Sequence, residues 1–299
     1  MQSALFYTVT CLIWGSTWLV ITFQLGEVAP EASIVYRFAL ASLLLMAYVV
    51  VRRLPMRFTA RQHMFIGLQG AFLFSFNYIL VYLAEQNLAS GLVAIVFAML
   101  ILCNVVLGAI FLKNPIRPRV VLGGAIGVVG LALVFWPQLG GFAEGGGWRL
   151  GLVLSIAAVL SASVGNILSA KNQRSGLPVV QTNAIGMGYG AVVTLIIAVL
   201  RGVPFTFEAT PSYVLSLLYL AVFGSVIAFG TYLTLIGRLG VDRAAYIGVI
   251  FPLVALVLSM AFEGLGLGIL GLLGVILVAA GNVLVLNRRK VPTPAPEPA

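Results

Sequence analysis

Charged residues are so widely spaced in this chain that they act as punctuation. The stretches 1–26, 38–51, 64–84, 86–112, 120–143, 150–170, 175–200, 209–237, 244–262 and 264–287 contain none. A helix rises about 1.5 Å per residue and a bilayer core is about 30 Å thick, so roughly 17 to 25 residues cross it. Nine of the ten stretches meet that length unaided, and the second does so once Arg37 is counted within it. With 61% of residues hydrophobic and 8% charged, there is too little polar surface to clothe a soluble core. The expectation is an all-α integral membrane protein of ten transmembrane helices. Arg37 follows Pro30 and Glu31 closely, so it is expected a turn or two below the outer face, its guanidinium snorkelling to the headgroups.

The same scarcity removes catalytic classes. His63 is the one histidine and Asp242 the one aspartate. That leaves no zinc cluster, no aspartyl pair and no Asp-rich magnesium motif, so no metal, cofactor or catalytic residue is assigned. Cys11 and Cys103 lie inside apolar runs and read as small buried hydrophobes. Gly266-Leu267-Gly268-Ile269-Leu270-Gly271 matches a dinucleotide fingerprint, but it opens a membrane span without a preceding strand and reads as helix packing. Residues 1–26 lack a basic leader and a small-residue cleavage site, and they carry Trp14 and Trp18; they read as a retained helix.

Orientation follows from the cations. With a cytoplasmic N-terminus, fourteen of the seventeen lysines and arginines fall in inside loops and the tail, and two, Arg149 and Arg201, fall outside. Both termini are then expected inside. The net charge of +9 is spread over short cytoplasmic segments, which suits anionic lipid headgroups and not nucleic acid. Residues 288–299 read as a basic and then Pro-rich disordered tail.

Ten spans divide into five and five: residues 1–139, a Gly-rich connection at 140–149, and residues 150–287. An odd number per half inverts the second half. Gly123 and Gly130 have the spacing of Gly274 and Gly281, and the same offset of 151 sets Ile101 against Pro252 and Ala94 against Ala245. Inverted repeats supply alternating access around a central site. The Gly123–Gly127 spacing reads as close helix contact within the chain or as a dimer face, so the expected state is a monomer or weak homodimer.

Trp14-Gly15-Ser16-Thr17-Trp18, together with Pro30 and, seven residues on, Arg37-Phe38, resembles the opening signature of EamA-type proteins of the drug/metabolite transporter superfamily. The run from Ala244 through Pro252 to Glu263-Gly264 is similar to the ninth-span signature of that family, and the likeness covers essentially the whole chain. The resemblance implies two five-helix repeats in a bacterial cytoplasmic membrane and export of amino acids or related metabolites, aromatic ones among them. Two departures stand out. Ile101 replaces a proline common in the family's fourth span, and Lys113-Asn114-Pro115 replaces a Gly-Glu-Arg turn. Bending in that half must then arise without the proline.

Polar side chains at membrane depth need a partner or a cavity. Ser75, Tyr78 and Tyr82 fall at i, i+3 and i+7 of the third span with Asn77 beside them, a face that either stacks on a ligand or packs in the core. Thr10, Trp14 and Thr17 make a similar face on the first span. Asn104 and Asn166 are expected deeper, toward the cytoplasm, as helix glue or solute contacts. Tyr246, Gly248 and Pro252 are candidate gate and hinge positions on the ninth span, since Pro252 removes one backbone hydrogen bond and should kink the helix near Gly248. No acidic residue is expected at the bilayer centre, which favours facilitated transport or exchange of a neutral or zwitterionic solute. Export of lipophilic cations or drugs, held by aromatic ring faces, is the alternative, and a membrane-embedded enzyme lacks a titratable cluster to support it.

Overall fold

A computed structural model describes residues 2–113, 116, 118–136, 147–239, 244 and 247–286, and every regular element among them is helical. Seven helices are long and apolar enough to cross a membrane: α1 (Gln2–Thr22), α2 (Pro30–Val51), α3 (Ala60–Glu85), α4 (Ser90–Leu112), α6 (Gly147–Arg174), α7 (Val179–Leu200) and α8 (Pro211–Leu239). Three shorter apolar helices complete the set: α5 (Pro118–Val134), α9 (Ile247–Phe262) and α10 (Ile269–Leu286). Their starts follow local chemistry. Pro30 and Pro211 occupy first turns, where the missing N–H costs nothing, and Thr59 and Gln62 form a reciprocal capping box at the head of α3. Gly202 (φ +65°) and Gly264 (φ +69°) follow α7 and α9 in the left-handed region.

Helix pairing links the first five helices to the last five reciprocally. The closest pairs are α5 with α10 and α2 with α7. The contact of α1 with α9 is matched by α6 with α4, that of α1 with α8 by α6 with α3, and that of α2 with α8 by α7 with α3. Shifting each helix number by five reproduces the set, as a two-fold relation between the halves requires. The spaced glycines form the α5–α10 contact. A Cβ on Gly130 would lie 2.6 Å from the Gly274 carbonyl oxygen, and one on Gly281 would lie 2.5 Å from that of Gly123. The small-residue face of α5 is thus occupied within one chain.

Three helices depart from regular α geometry. α3 carries a π-helical segment at Ala71–Phe76 and α8 one at Leu220–Ile227, at corresponding places in the two halves. α4 breaks at Ala98–Met99, where N–H groups bond three residues back to Ile95 and Val96 before the helix resumes at Leu100. The fourth helix therefore bends without a proline, and the Ala98 carbonyl accepts from Asn282 Nδ2 of α10 at 3.0 Å. By contrast α9 runs helically through Pro252; Gly248, whose carbonyl that proline leaves without its usual partner, lies in the first turn.

Because α5 and α10 meet backbone to backbone, Gly130→Val should lower the stability of the purified protein by about 1–3 kcal/mol through overpacking. Gly266→Ala, with open space around it, should leave the thermal midpoint unchanged. Thermal unfolding in detergent followed by circular dichroism compares the two.

Candidate functional site

A cavity of about 60 Å³ lies where α1, α3, α4, α6, α8 and α9 converge. Its walls are mainly aromatic. Trp14 packs edge-on against Phe229 (ring centroids 5.0 Å apart) and at a tilt against Tyr232 (4.8 Å), while Trp18 meets Phe97 edge-on (4.7 Å) and stacks with Phe251 (6.0 Å). Such pairs contribute roughly 0.5–1.5 kcal/mol each beyond burial and fix the rings in place.

Of the expected solute-contact residues, Trp14, Thr17, Asn77, Tyr78 and Asn166 all line this cavity. Asn104 lines a smaller adjoining space that shares Trp14, Leu100, Tyr232 and Phe251 with it. Asn104 Oδ1 accepts from Ser163 Oγ at 2.8 Å and lies 3.5 Å from Asn166 Nδ2, so the asparagines of α4 and α6 are joined. Ser75 and Tyr82 are placed differently. The π-helical segment carries more residues per turn than an α-helix and resets the facing of α3. Ser75 is turned toward α7, where Thr194 Oγ1 donates to it at 2.7 Å, and Tyr82 is wholly buried outside the cavity wall. Thr10 pairs with Thr231 of α8 at 2.7 Å. Gly248 borders the smaller space beside Ile101, Pro252 is buried next to the wall residue Phe251, and Tyr246 lies outside the described residues.

Arg37 corrects the expectation of snorkelling. It is 1% exposed. Its Nε donates to Ser225 Oγ at 3.0 Å, its Nη2 to the Tyr78 hydroxyl at 3.4 Å, and its guanidinium carbon lies 4.4 Å from the Tyr78 ring centroid and 5.2 Å from that of Phe38. Depth counted along a helix does not reveal this, because the face of α2 bearing Arg37 packs on α8 and α3 and not against lipid. Glu85 is likewise enclosed at the end of α3; both its carboxyl oxygens are buried without a hydrogen-bond partner among the described residues, and Arg37 and Glu263 lie within electrostatic reach. Glu263 itself accepts from the Ser90 hydroxyl and backbone N–H, tying α9 to the start of α4.

Gly224, inside the π-helical segment of α8, is where these groups meet. Its carbonyl accepts from Trp14 Nε1 at 3.3 Å, and an added Cβ would lie 2.9 Å from Thr17 Cγ2 and 3.2 Å from Arg37 Nη2. Tyr232, Phe229 and Phe251 were not singled out from the sequence. Their only signal was the i, i+3 spacing of Phe229 and Tyr232 on the strongly one-sided second part of α8.

Two sets of five helices with reciprocal contacts, packed around an aromatic cavity, are the arrangement of a solute transporter of the membrane. The chain belongs to the EamA-like transporter family, within the drug/metabolite transporter superfamily: the family's profile matches residues 1–136 and again 149–287. The uncharacterized inner membrane transporter YedA of Escherichia coli K12 is 30% identical over 287 residues, covering 91% of this chain and 89% of YedA. A probable amino-acid metabolite efflux pump of the same organism is 25% identical, covering 93% of this chain and 94% of the pump. Protein PagO of Salmonella typhimurium is 23% identical over 97% of this chain and 94% of its own length. One crystal structure shares the fold, with a TM-score of 0.70 at 17% identity over 94% of this chain and 95% of that one.

Gly224→Val should push Thr17 and Arg37 from their places and lower solute flux by about tenfold or more, taking about 1–3 kcal/mol for the overpacking. Gly230→Ala, with nothing near it, should transport normally. Equal flux in the two variants at equal helicity would remove Gly224 from the site.

Proposed function

We propose that this protein exports small neutral or zwitterionic metabolites, amino acids foremost, across a bacterial cytoplasmic membrane by alternating access, with both termini in the cytoplasm. The observation that carries the reading is the cavity itself: aromatic walls with a few polar groups, enclosed where helices of both halves converge. Its lining suits a solute with an apolar body and one or two polar ends. Fourteen cytoplasmic cations against two outside support the orientation and give the inner surface affinity for anionic lipid. The printed name of the E. coli efflux pump supports the substrate class.

Lipophilic cations are the second reading, carried by the tryptophan and tyrosine faces. The guanidinium of Arg37 against Tyr78 opposes it, since it sets a positive charge behind the cavity wall.

Counterflow in proteoliposomes of the full chain, screened with labelled amino acids and with a labelled lipophilic cation, tests the proposal. At least one neutral amino acid should exchange, and Tyr78→Ala and Asn166→Ala should slow it about tenfold or more, the effect of losing one to two kcal/mol of solute contact. Leu43→Ala, on a helix face 67% exposed in the isolated chain, should have no effect. Exchange of the cation with no amino-acid exchange would replace the proposal by the second reading.

A further inference from the structure

The polar groups of the cavity fall into two sets of opposite character. The first set donates. Tyr78 accepts a hydrogen bond from Arg37 Nη2 at 3.4 Å and lies under its guanidinium. A hydroxyl that accepts from a cation directs its own hydrogen elsewhere, and the neighbouring charge makes it a stronger donor. Trp18 Nε1 is buried on the same lining without an acceptor among the described residues. The second set accepts. Asn77 gives its Nδ2 to the Leu73 carbonyl, which fixes the orientation of its amide, and Asn166 directs its Nδ2 at Asn104 Oδ1. Both leave a buried Oδ1 without a donor among the described residues, and both residues line the cavity.

Buried polar atoms without partners cost free energy, and three of them, Trp18 Nε1, Asn77 Oδ1 and Asn166 Oδ1, on residues that line one cavity indicate a ligand that supplies what they lack. Donors backed by a cation call for an anionic group. A pair of amide oxygens calls for a donor with several hydrogens, such as an ammonium.

We infer that the cavity recognises a zwitterion end by end: Tyr78 and Trp18 receive its carboxylate, Asn77 and Asn166 receive its ammonium, and the aromatic walls hold an apolar side chain. This rests on the transport reading above and narrows its substrate class to apolar α-amino acids. Arg37 touches no solute in this arrangement. It is a positioning residue, acting through Tyr78, with Ser225 and the Phe38 ring holding it in place.

Trp14 and Trp18 line the site, so solute binding is readable as a change in tryptophan emission in proteoliposomes of the full chain. The probes are L-phenylalanine, phenethylamine, which lacks the carboxylate, and 3-phenylpropanoate, which lacks the ammonium; L-leucine, isoamylamine and 4-methylpentanoate form the matching aliphatic series. In the wild type at least one amino acid should bind about tenfold or more tighter than either of its truncated analogues, the selectivity expected when a buried polar partner is left unpaired. Tyr78→Phe keeps the ring and removes only the hydroxyl, so it should bring the amino acid down to the level of its amine and leave the amine unchanged. Arg37→Gln should do the same, and Arg37→Lys should restore part of the preference, which a merely structural role would not predict. Asn166→Leu should bring the amino acid down to the level of its acid.

A wild type that binds an amine as tightly as its amino acid overturns the inference, as does silence of both series. Full preference retained in Tyr78→Phe overturns the carboxylate assignment. The counterflow screen judges the broader reading separately: exchange of other neutral solutes with both series silent would leave export standing and remove only the zwitterion site.

Discussion

Inside a bilayer a released backbone carbonyl has no water to accept from, and leaving it bare costs several kcal/mol, so any irregular turn must be paired with a donor from the protein. In each of the three irregular helices, a carbonyl in or beside the irregular turn accepts a side-chain donor from the other half. Phe72, in the π-helical segment of α3, accepts from Ser161 of α6. Gly224, in that of α8, accepts from Trp14 of α1. Ala98, at the break in α4, accepts from Asn282 of α10. The distortions shape the cavity: the segment in α3 turns Tyr78 toward it and Ser75 away, and the segment in α8 places the glycine against which Arg37, Thr17 and Trp14 settle.

Arg37 depends on the same arrangement. A guanidinium at 1% exposure is tolerable only with close compensation. Here two aromatic faces and the Ser225 hydroxyl, at the C-terminal end of the π-helical segment, supply part of it. Arg37 sits behind the cavity wall, so its field reaches a solute through Tyr78 and the solute need not displace it. The carboxyl groups of Glu85 and Glu263 lie within electrostatic reach of each other, and Glu263 ties α9 to α4.

Much of the fold was legible in the spacing of charges, because a chain in lipid places most of them at its edges; the helices begin and end near those punctuation marks. The glycine offset of 151 was legible too, and its physical content is the backbone contact of α5 with α10. The site was legible in part. Asn77, Tyr78, Asn166, Trp14 and Thr17 were visible as polar or amphipathic residues at depth. Phe229, Tyr232 and Phe251 were not, since an aromatic residue in an apolar helix looks the same whether it faces lipid, core or cavity. Ser75 fell away from the wall because the facing argument assumed 3.6 residues per turn across a segment that is π-helical, and nothing in Ala71-Phe72-Leu73-Phe74-Ser75-Phe76 announces that geometry. Tyr82 lies beyond that segment on regular α-helix, where Asn77, Tyr78 and Val81 form the face on the cavity and Tyr82 falls beside it. Arg37 was misplaced for a related reason: depth along one helix says nothing about which neighbour covers it.

The kinds of contact also distinguish fixed from movable parts. At α5–α10 the glycines bring backbone against backbone, and any sliding would drive carbonyls into one another. Gly70 and Gly190 fit α7 as closely against α3, with Gly70 facing the Gly186 backbone and Gly190 the Gly70 carbonyl. These contacts suit a pivot. Around the cavity Gly165 packs against the Leu73 backbone, and the halves are joined there by side chains as well: Thr10 to Thr231, Ser163 to Asn104, Ser90 to Glu263, and the ring contacts of Trp14 and Trp18. A side-chain hydrogen bond contributes about 1 kcal/mol and re-forms with water or a solute once opened, whereas a pair of packed backbones has no second partner. Rocking of one half against the other would therefore separate the cavity-side contacts first and turn about the glycine-packed helices.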